Sequence, residues 1–383
     1  MELLVALILV GCVLLTGGLL AVTPWLMPKT ECFAVTVPEG ARRDPRLAGF
    51  RRRYALIVGV ATLACSGLLA AFAASAGSSL GEGTAFVGVL VGAMLVPTVL
   101  SFGLMLHFRR RVMAVKRAEG WAAPRPQAAA VVAEDDVPHA ISLAWNLLYV
   151  PVVLVTATIG VVAWPAIPDQ IPLHADFSGT VNDWAPKSIG SVFFPVLVQL
   201  FMIACFLFCH WSILRSKRPT SPGAPVTSAL AYGLFARAQS IYLLATGVLV
   251  TAALGLTFML SAMGVLSLGG AGAIVAVAVI PVLLGSVAIA LVYGQAGSRL
   301  FRRMEAAGAN AGVPSGAVMP ADDDDHWKLG IFYVNRDDAS LFLPERFGVG
   351  WTLNLGRPAA WAVVGGFVAV MALFVVLVFI AIG

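Results

Sequence analysis

Long apolar runs alternate with short polar segments along almost the whole chain. Eight runs reach the ~20 residues needed to cross a hydrocarbon core: residues 3–26, 54–76, 84–107, 141–164, 190–214, a stretch within 228–263, 273–293 and 358–382. The 36 residues of 228–263 are too few for two crossings. The crossing is therefore placed after Arg237, whose side chain can then snorkel to the headgroups. The first run has no basic segment ahead of it and is long for a signal peptide, so it reads as a span. Pro97 is expected to kink the third run, which neighbouring helices can accommodate in lipid. The pattern predicts an all-α integral membrane protein, an eight-span helical bundle.

The polar segments set the sidedness. Those between spans 1 and 2, 3 and 4, 5 and 6, and 7 and 8 carry 24 of the 25 Lys and Arg, and the other face has only Lys187. Positive loops stay cytoplasmic. Both chain ends, N-out and C-out, and the segment 164–187 are therefore expected outside. That outer face shows Glu2, Glu82, Asp169, Asp176 and Asp183 against one lysine, a mildly acidic surface suited to a cationic peptide or a divalent ion. The net charge of +5 belongs to the inner loops, so no direct nucleic-acid binding is expected; the partner implied throughout is the lipid bilayer. Only 12% of residues are charged, against about a quarter in soluble chains. The five cysteines form no disulfide framework or zinc spacing, and Cys205, Cys209 and His210 read as helix packing. Gly88, Gly92, Gly247 and Gly255 permit close helix contacts.

By these signals the chain divides into a three-span region (1–140), a two-span region with the 164–187 loop (141–214), spans six and seven (215–306), a polar inner segment (307–357) and a last span (358–383).

Within 164–187, Pro165, Pro168 and Pro172 stiffen the exit from span 4, and residues 176–179 read as a turn. Trp184 suits the interfacial belt where span 5 begins. His174 with Asp176, and with Asp169 or Asp183, offers nitrogen and oxygen donors of the kind that hold a divalent metal. Equally, these side chains can hydrogen-bond their own loop. The stretch P-D-Q-I-P-L-H-A-D-F-S-G-T-V-N-D-W-A-P-K resembles the P-x-x-I-P-x-H-x-x-x-x-G-x-x-D-x-W-x-x-K signature of a domain of unknown function in SdpI-type bacteriocin-immunity membrane proteins. The pattern is carried by Pro168, Ile171, Pro172, His174, Gly179, Trp184 and Lys187, and the family's aspartate falls on Asn182, with Asp183 one place later. The resemblance implies a multi-pass protein of the bacterial cell membrane. It implies protection against a secreted toxic peptide and, in some relatives, signalling to a cytosolic repressor. The ligand-binding residues expected from it are His174, Asp176, Asn182, Asp183, Trp184 and Lys187.

The inner segment holds a Gly/Ala/Pro linker, four consecutive aspartates (Asp322 to Asp325) and a run rich in aromatics. The aspartates lack EF-hand spacing and read as a solvated acidic run, able to pair with the arginine clusters of the neighbouring inner loops. Residues 331–334 and 341–343 are expected to pair as a hairpin, with 349–355 as a third strand. W-K-L-G-I-F-Y and F-G-V-G-W-T-L-N resemble a second short domain of unknown function found at the end of such proteins. This segment and residues 32–39 are expected to pack together as a small cytoplasmic β-rich platform, since neither could bury a core alone. Trp327, Lys328, Phe332, Tyr333 and Trp351 are its candidate contacts for a cytosolic regulator. Two other function classes stay open: a metal-dependent membrane hydrolase centred on His174, and a transporter. Intramembrane ionisable residues are nearly absent, which argues against both.

Overall fold

The computed structural model describes residues 2–76, 83–123, 137–175, 180–219, 221, 224–307, 322–348 and 350–382. Nine α-helices are described: α1 (Glu2–Leu26), α2 (Pro45–Ala76), α3 (Gly83–Ala118), α4 (Tyr149–Val162), α5 (Ile189–Leu214), α6 (Pro225–Ala262), α7 (Leu268–Tyr293), α8 (Ser298–Ala307) and α9 (Pro358–Ile382). All but α8 are long and apolar enough, α4 together with the turn before it, to cross a membrane, as a multi-pass membrane protein requires. In hydrocarbon only such internally hydrogen-bonded segments satisfy the backbone.

The helices outrun the apolar runs. α2 begins at Pro45 rather than near 54, because Asp44 caps the Arg46 N–H at 2.8 Å and a proline suits the first helical position. α3 continues past its apolar part to Ala118. α6 is a single unbroken helix from Pro225, and α4 starts only after a 3-10 turn over Leu143–Leu148. α8 was not expected. It follows a break where Gly294, Ala296 and Gly297 all hold positive φ, and it is tied to the end of α1 by Ser298 Oγ to the Leu26 carbonyl (2.9 Å) and Arg302 to the Met27 carbonyl (3.1 Å).

α1, α2 and α3 pack on one another, α4 to α7 form a second group, α7 meets α1, and α9 lies on α5, where Phe201 and Phe374 stack at 4.1 Å. Large apolar side chains point outward, Phe379 and Ile380 among them, while small and polar ones line the seams. Gln199 is fully buried and its amide donates to Thr156 Oγ1 and the Thr251 carbonyl, both at 2.9 Å. A side chain at Gly255 would collide with Gln199 and Thr156, and one at Gly247 with Tyr149, whereas Gly88 and Gly92 face open space. His210 is buried, with Nδ1 2.8 Å from the Asn146 amide and Nε2 2.9 Å from the Ile141 carbonyl. Both ring nitrogens have partners, and it is a packing residue.

The strands come as four antiparallel pairs: β1 (Glu31–Cys32) with β2 (Val35–Thr36), β3 (Gln170–Ala175) with β4 (Val181–Pro186), β5 (Trp327–Lys328) with β6 (Phe332–Tyr333), and β7 (Phe342–Pro344) with β8 (Trp351–Leu353). The expected pairing of 331–334 with 341–343 does not form. Each of those runs turns back on its nearer neighbour in sequence, and the two pairs meet through a Tyr333–Asn354 bridge. The third strand at 349–355 is present as β8. β1–β2 lies against α3, where Arg109 donates to the Ala34 carbonyl, and β7–β8 lies against α5 and α6, where Phe342 meets Trp211 and Trp351 meets Phe235. Phe33 is fully buried, with ring centroids of Tyr54, Phe108 and Phe347 5.4, 5.2 and 6.2 Å away.

Candidate functional site

The α4–α5 connection is a β-hairpin pinned at its base. Ile171 and Ala185 are cross-strand partners, both buried, and Ile171 packs with Ile167, Val192 and Ala262. Lys187 closes the loop. Its ammonium donates to the carbonyls of Trp164 (2.6 Å) and Ile167 (2.8 Å) and lies 5.2 Å from the Trp164 ring centre. Its backbone N–H donates to the Asp169 carbonyl at 2.8 Å. Ser188 then opens α5 with a reciprocal capping box to Ser191. The sequence supplied Lys187 as a ligand residue; its ammonium is engaged with its own loop.

The far half of the hairpin is open. His174 is the register partner of Asp183, and the ladder is irregular on both sides of it. His174 Nδ1 lies 2.6 Å from Asn182 Oδ1. A carbonyl oxygen can only accept, so Nδ1 carries the proton in this bond. His174, Asn182, Asp183 and Trp184 are all exposed, Trp184 by 52%. The exposed chemistry is one imidazole, one carboxylate and one indole. Asp176, named with His174 as a metal ligand, and the turn 176–179 lie outside the described residues. Among the described residues no three His, Cys, Asp or Glu side chains group as a metal site, and a tetrahedral site needs more donors than His174 alone.

The platform is organised around a carboxylate that sequence reasoning placed in solvent. Asp324 is buried. It accepts from the Thr36 N–H (3.0 Å), the Thr36 hydroxyl (2.9 Å), the Lys116 ammonium (2.6 Å) and Arg346. Arg346 also binds Asp323 and lies 5.1 Å from the Trp327 ring centre. Arg109 donates to the carbonyls of Ala34 and Trp327. Burial alone would push the Asp324 carboxyl up, but Arg346, Lys116 and Thr36 outweigh it and hold it below its ordinary value. The solvated acidic run is thus corrected: one of its four aspartates is the buried joint between α3, β2 and the C-terminal segment. Alternation of burial within a four-Asp run leaves no trace in its letters.

The named platform aromatics split. Trp327 and Tyr333 are buried and Trp351 is half-buried, stacked 5.8 Å from Phe235 of α6. Lys328 and Phe332 face outward, and Lys328 donates to the Asp325 carbonyl at 2.9 Å. The closing asparagine of F-G-V-G-W-T-L-N, Asn354, is fully buried. Its amide donates to the carbonyls of Asn335, Asp338 and Ser340, and its oxygen accepts from the N–H of Asn335 and Gly356. That motif position is a fold requirement.

Two short family models match the chain. No curated protein and no solved structure does. Residues 152–198, which hold the whole hairpin and the helix ends beside it, match a domain of unknown function, DUF1648; residues 336–361, from the β6–β7 connection into α9, match a family of unknown function, DUF5808.

Proposed function

We propose that this is an SdpI-like immunity or sensor protein of a bacterial cell membrane. The α4–α5 hairpin meets a toxic peptide on the outer face, and the platform docks a cytosolic regulator on the inner one. The observation that carries the reading is the hairpin itself. Its base is locked by Ile171 and Lys187, while its far half leaves His174, Asp183 and Trp184 exposed. A locked base beneath an exposed carboxylate and indole suits a cationic, amphiphilic peptide. The sidedness is supported by charge. Alternating crossings put the platform at the end that carries 24 of the 25 Lys and Arg, the end that stays inside.

The test has two arms. Cells expressing the chain are challenged with antimicrobial peptides, beside cells expressing His174→Ala and Trp184→Ala variants. Protection by the wild type that both substitutions abolish at equal membrane abundance is the expected result; protection indifferent to them removes the hairpin from the function. A cysteine placed at Ser178 should react with an impermeant thiol reagent in intact cells, and protection from that reagent would reverse the sidedness.

A further inference from the structure

A cavity of about 540 Å³ lies where the platform meets the ends of α5 and α6, away from the hairpin. Its walls include Phe208, Cys209, Leu243, Phe332, Trp351 and Glu345, and the size is that of a small-molecule or single-chain site. The apolar part reaches into the span: Cys209 lies five residues before the end of α5, about 7–8 Å along the helix axis. Glu345 also lines it. None of the lining residues is Lys, Arg or His, and the nearby Lys217 is taken by Asp338 at 2.7 Å. Among the described residues nothing donates a hydrogen bond to the Glu345 carboxylate. Burial pushes that carboxyl up to about 7, as expected where no cation offsets desolvation. Phe332 is 45% exposed and Cys209 is exposed, so the cavity has a mouth.

A carboxylate with no cation beside it among the described residues, in a largely apolar cavity at the end of the α5 span, is complementary to an amphiphile of opposite sign. We propose that this cavity binds a primary ammonium carried on an apolar chain, its ammonium at Glu345 and its stem between Phe208 and Leu243. An aminophospholipid and a free long-chain amine share that chemistry. This site is independent of the peptide-binding reading, since it lies at the other end of the bundle.

The test uses the full chain in neutral detergent, with native mass spectrometry to titrate phosphatidylethanolamine, dodecylamine and phosphatidylglycerol. Phosphatidylethanolamine or dodecylamine should bind more tightly than phosphatidylglycerol, and Glu345→Gln should weaken that binding roughly tenfold, the loss of one charge-assisted hydrogen bond. Preference for the phospholipid assigns a lipid as occupant and preference for dodecylamine a free amine; both support the site. Ammonium probes that bind no better than phosphatidylglycerol, or equally well to the variant, overturn it. If Glu345→Gln does not fold, alkylation of Cys209 in the wild type decides. Saturating dodecylamine should slow it severalfold, and an unchanged rate at Cys209 overturns the proposal.

Discussion

Thr36 and Asp324 stand 288 residues apart and are joined by two donors, the Thr36 backbone N–H, shared between the carboxylate oxygens at 3.0 and 3.3 Å, and its hydroxyl at 2.9 Å. This contact joins the first inter-span segment to the last one. With Lys116 and Arg346 on the same carboxylate, three distant parts of the chain converge on one buried atom pair.

Removing that carboxylate should be severe. Asp324→Ala leaves Lys116 and Arg346, with side chains 8% and 6% exposed, as buried cations without their main partner. Breaking a buried pair from one side costs about 3–5 kcal/mol. Hydrogen exchange should show β1–β2 and β5 to β8 losing protection together, with the helix centres little changed. Thr36→Val removes only the hydroxyl donor and should cost about 1 kcal/mol. Equal effects from the two substitutions would contradict this ordering.

Glu31 gives the platform a pH dependence of the opposite sign to Asp338. Burial pushes the Glu31 carboxyl from 4.5 up to about 7, with Arg346 only partly opposing. Its folded-state stabilisation is therefore complete below about pH 4.5 and is lost as pH rises through 7. Asp338 starts upward through burial, but Lys217 and the Ser340 N–H bring it down to about 2. Its contribution is present above its ordinary value of 3.8 and lost as pH falls towards 2. Thermal unfolding in detergent should show platform stability declining between pH 5 and 7. Glu31→Gln should lessen that decline, Glu345 (also pushed up to about 7) supplying the remainder, while leaving the acid limb in place.

The Gly330 turn offers a steric test. Gly330 has φ +78° and a side chain there would meet Ala34 Cβ at 2.9 Å, so two hairpin turns pack tip to tip. Gly330→Ala combines a strained φ with an overlap, and about 1–3 kcal/mol of destabilisation is expected. Gly92→Ala, which meets nothing, should be neutral or slightly stabilising in its helix. The comparison is read from thermal unfolding of the two variants.

The eight spans were legible because lipid demands apolar length, and that demand is written residue by residue. Helix ends were not, since Arg51, Arg109 and Lys116 continue helices beyond the apolar part and no hydropathy signal marks them. The hairpin residues could be named from their motif, but its strands were hidden by Pro172 and Pro186, which read as loop. The turn expected at 176–179 lies outside the described residues. The β1–β2 turn was illegible for a specific reason. Phe33 and Ala34 hold φ of 48° and 57°, values that usually call for Gly or Asn. Tertiary contacts override that preference: the Phe33 ring is enclosed by other aromatics, and the Ala34 carbonyl accepts from Arg109 and Arg346. The same kind of long-range partner, Arg346, buried Asp324.

The hairpin allows structural and binding roles to be separated by experiment. Lys187 was grouped with His174 as a ligand residue, yet its ammonium closes the loop on two carbonyls at 2.6 and 2.8 Å. Lys187→Met keeps the apolar stem over Trp164 and removes only those bonds. Hydrogen bonds to a charged group contribute about 1.5–3 kcal/mol each, so the variant should open the hairpin to limited proteolysis and lower thermal stability. His174 is exposed and its one described partner is Asn182. His174→Ala should therefore change stability by less than about 0.5 kcal/mol while abolishing any peptide protection. If His174→Ala unfolds the hairpin as readily as Lys187→Met, the imidazole is part of the mount and Asp183 and Trp184 are left as the binding surface.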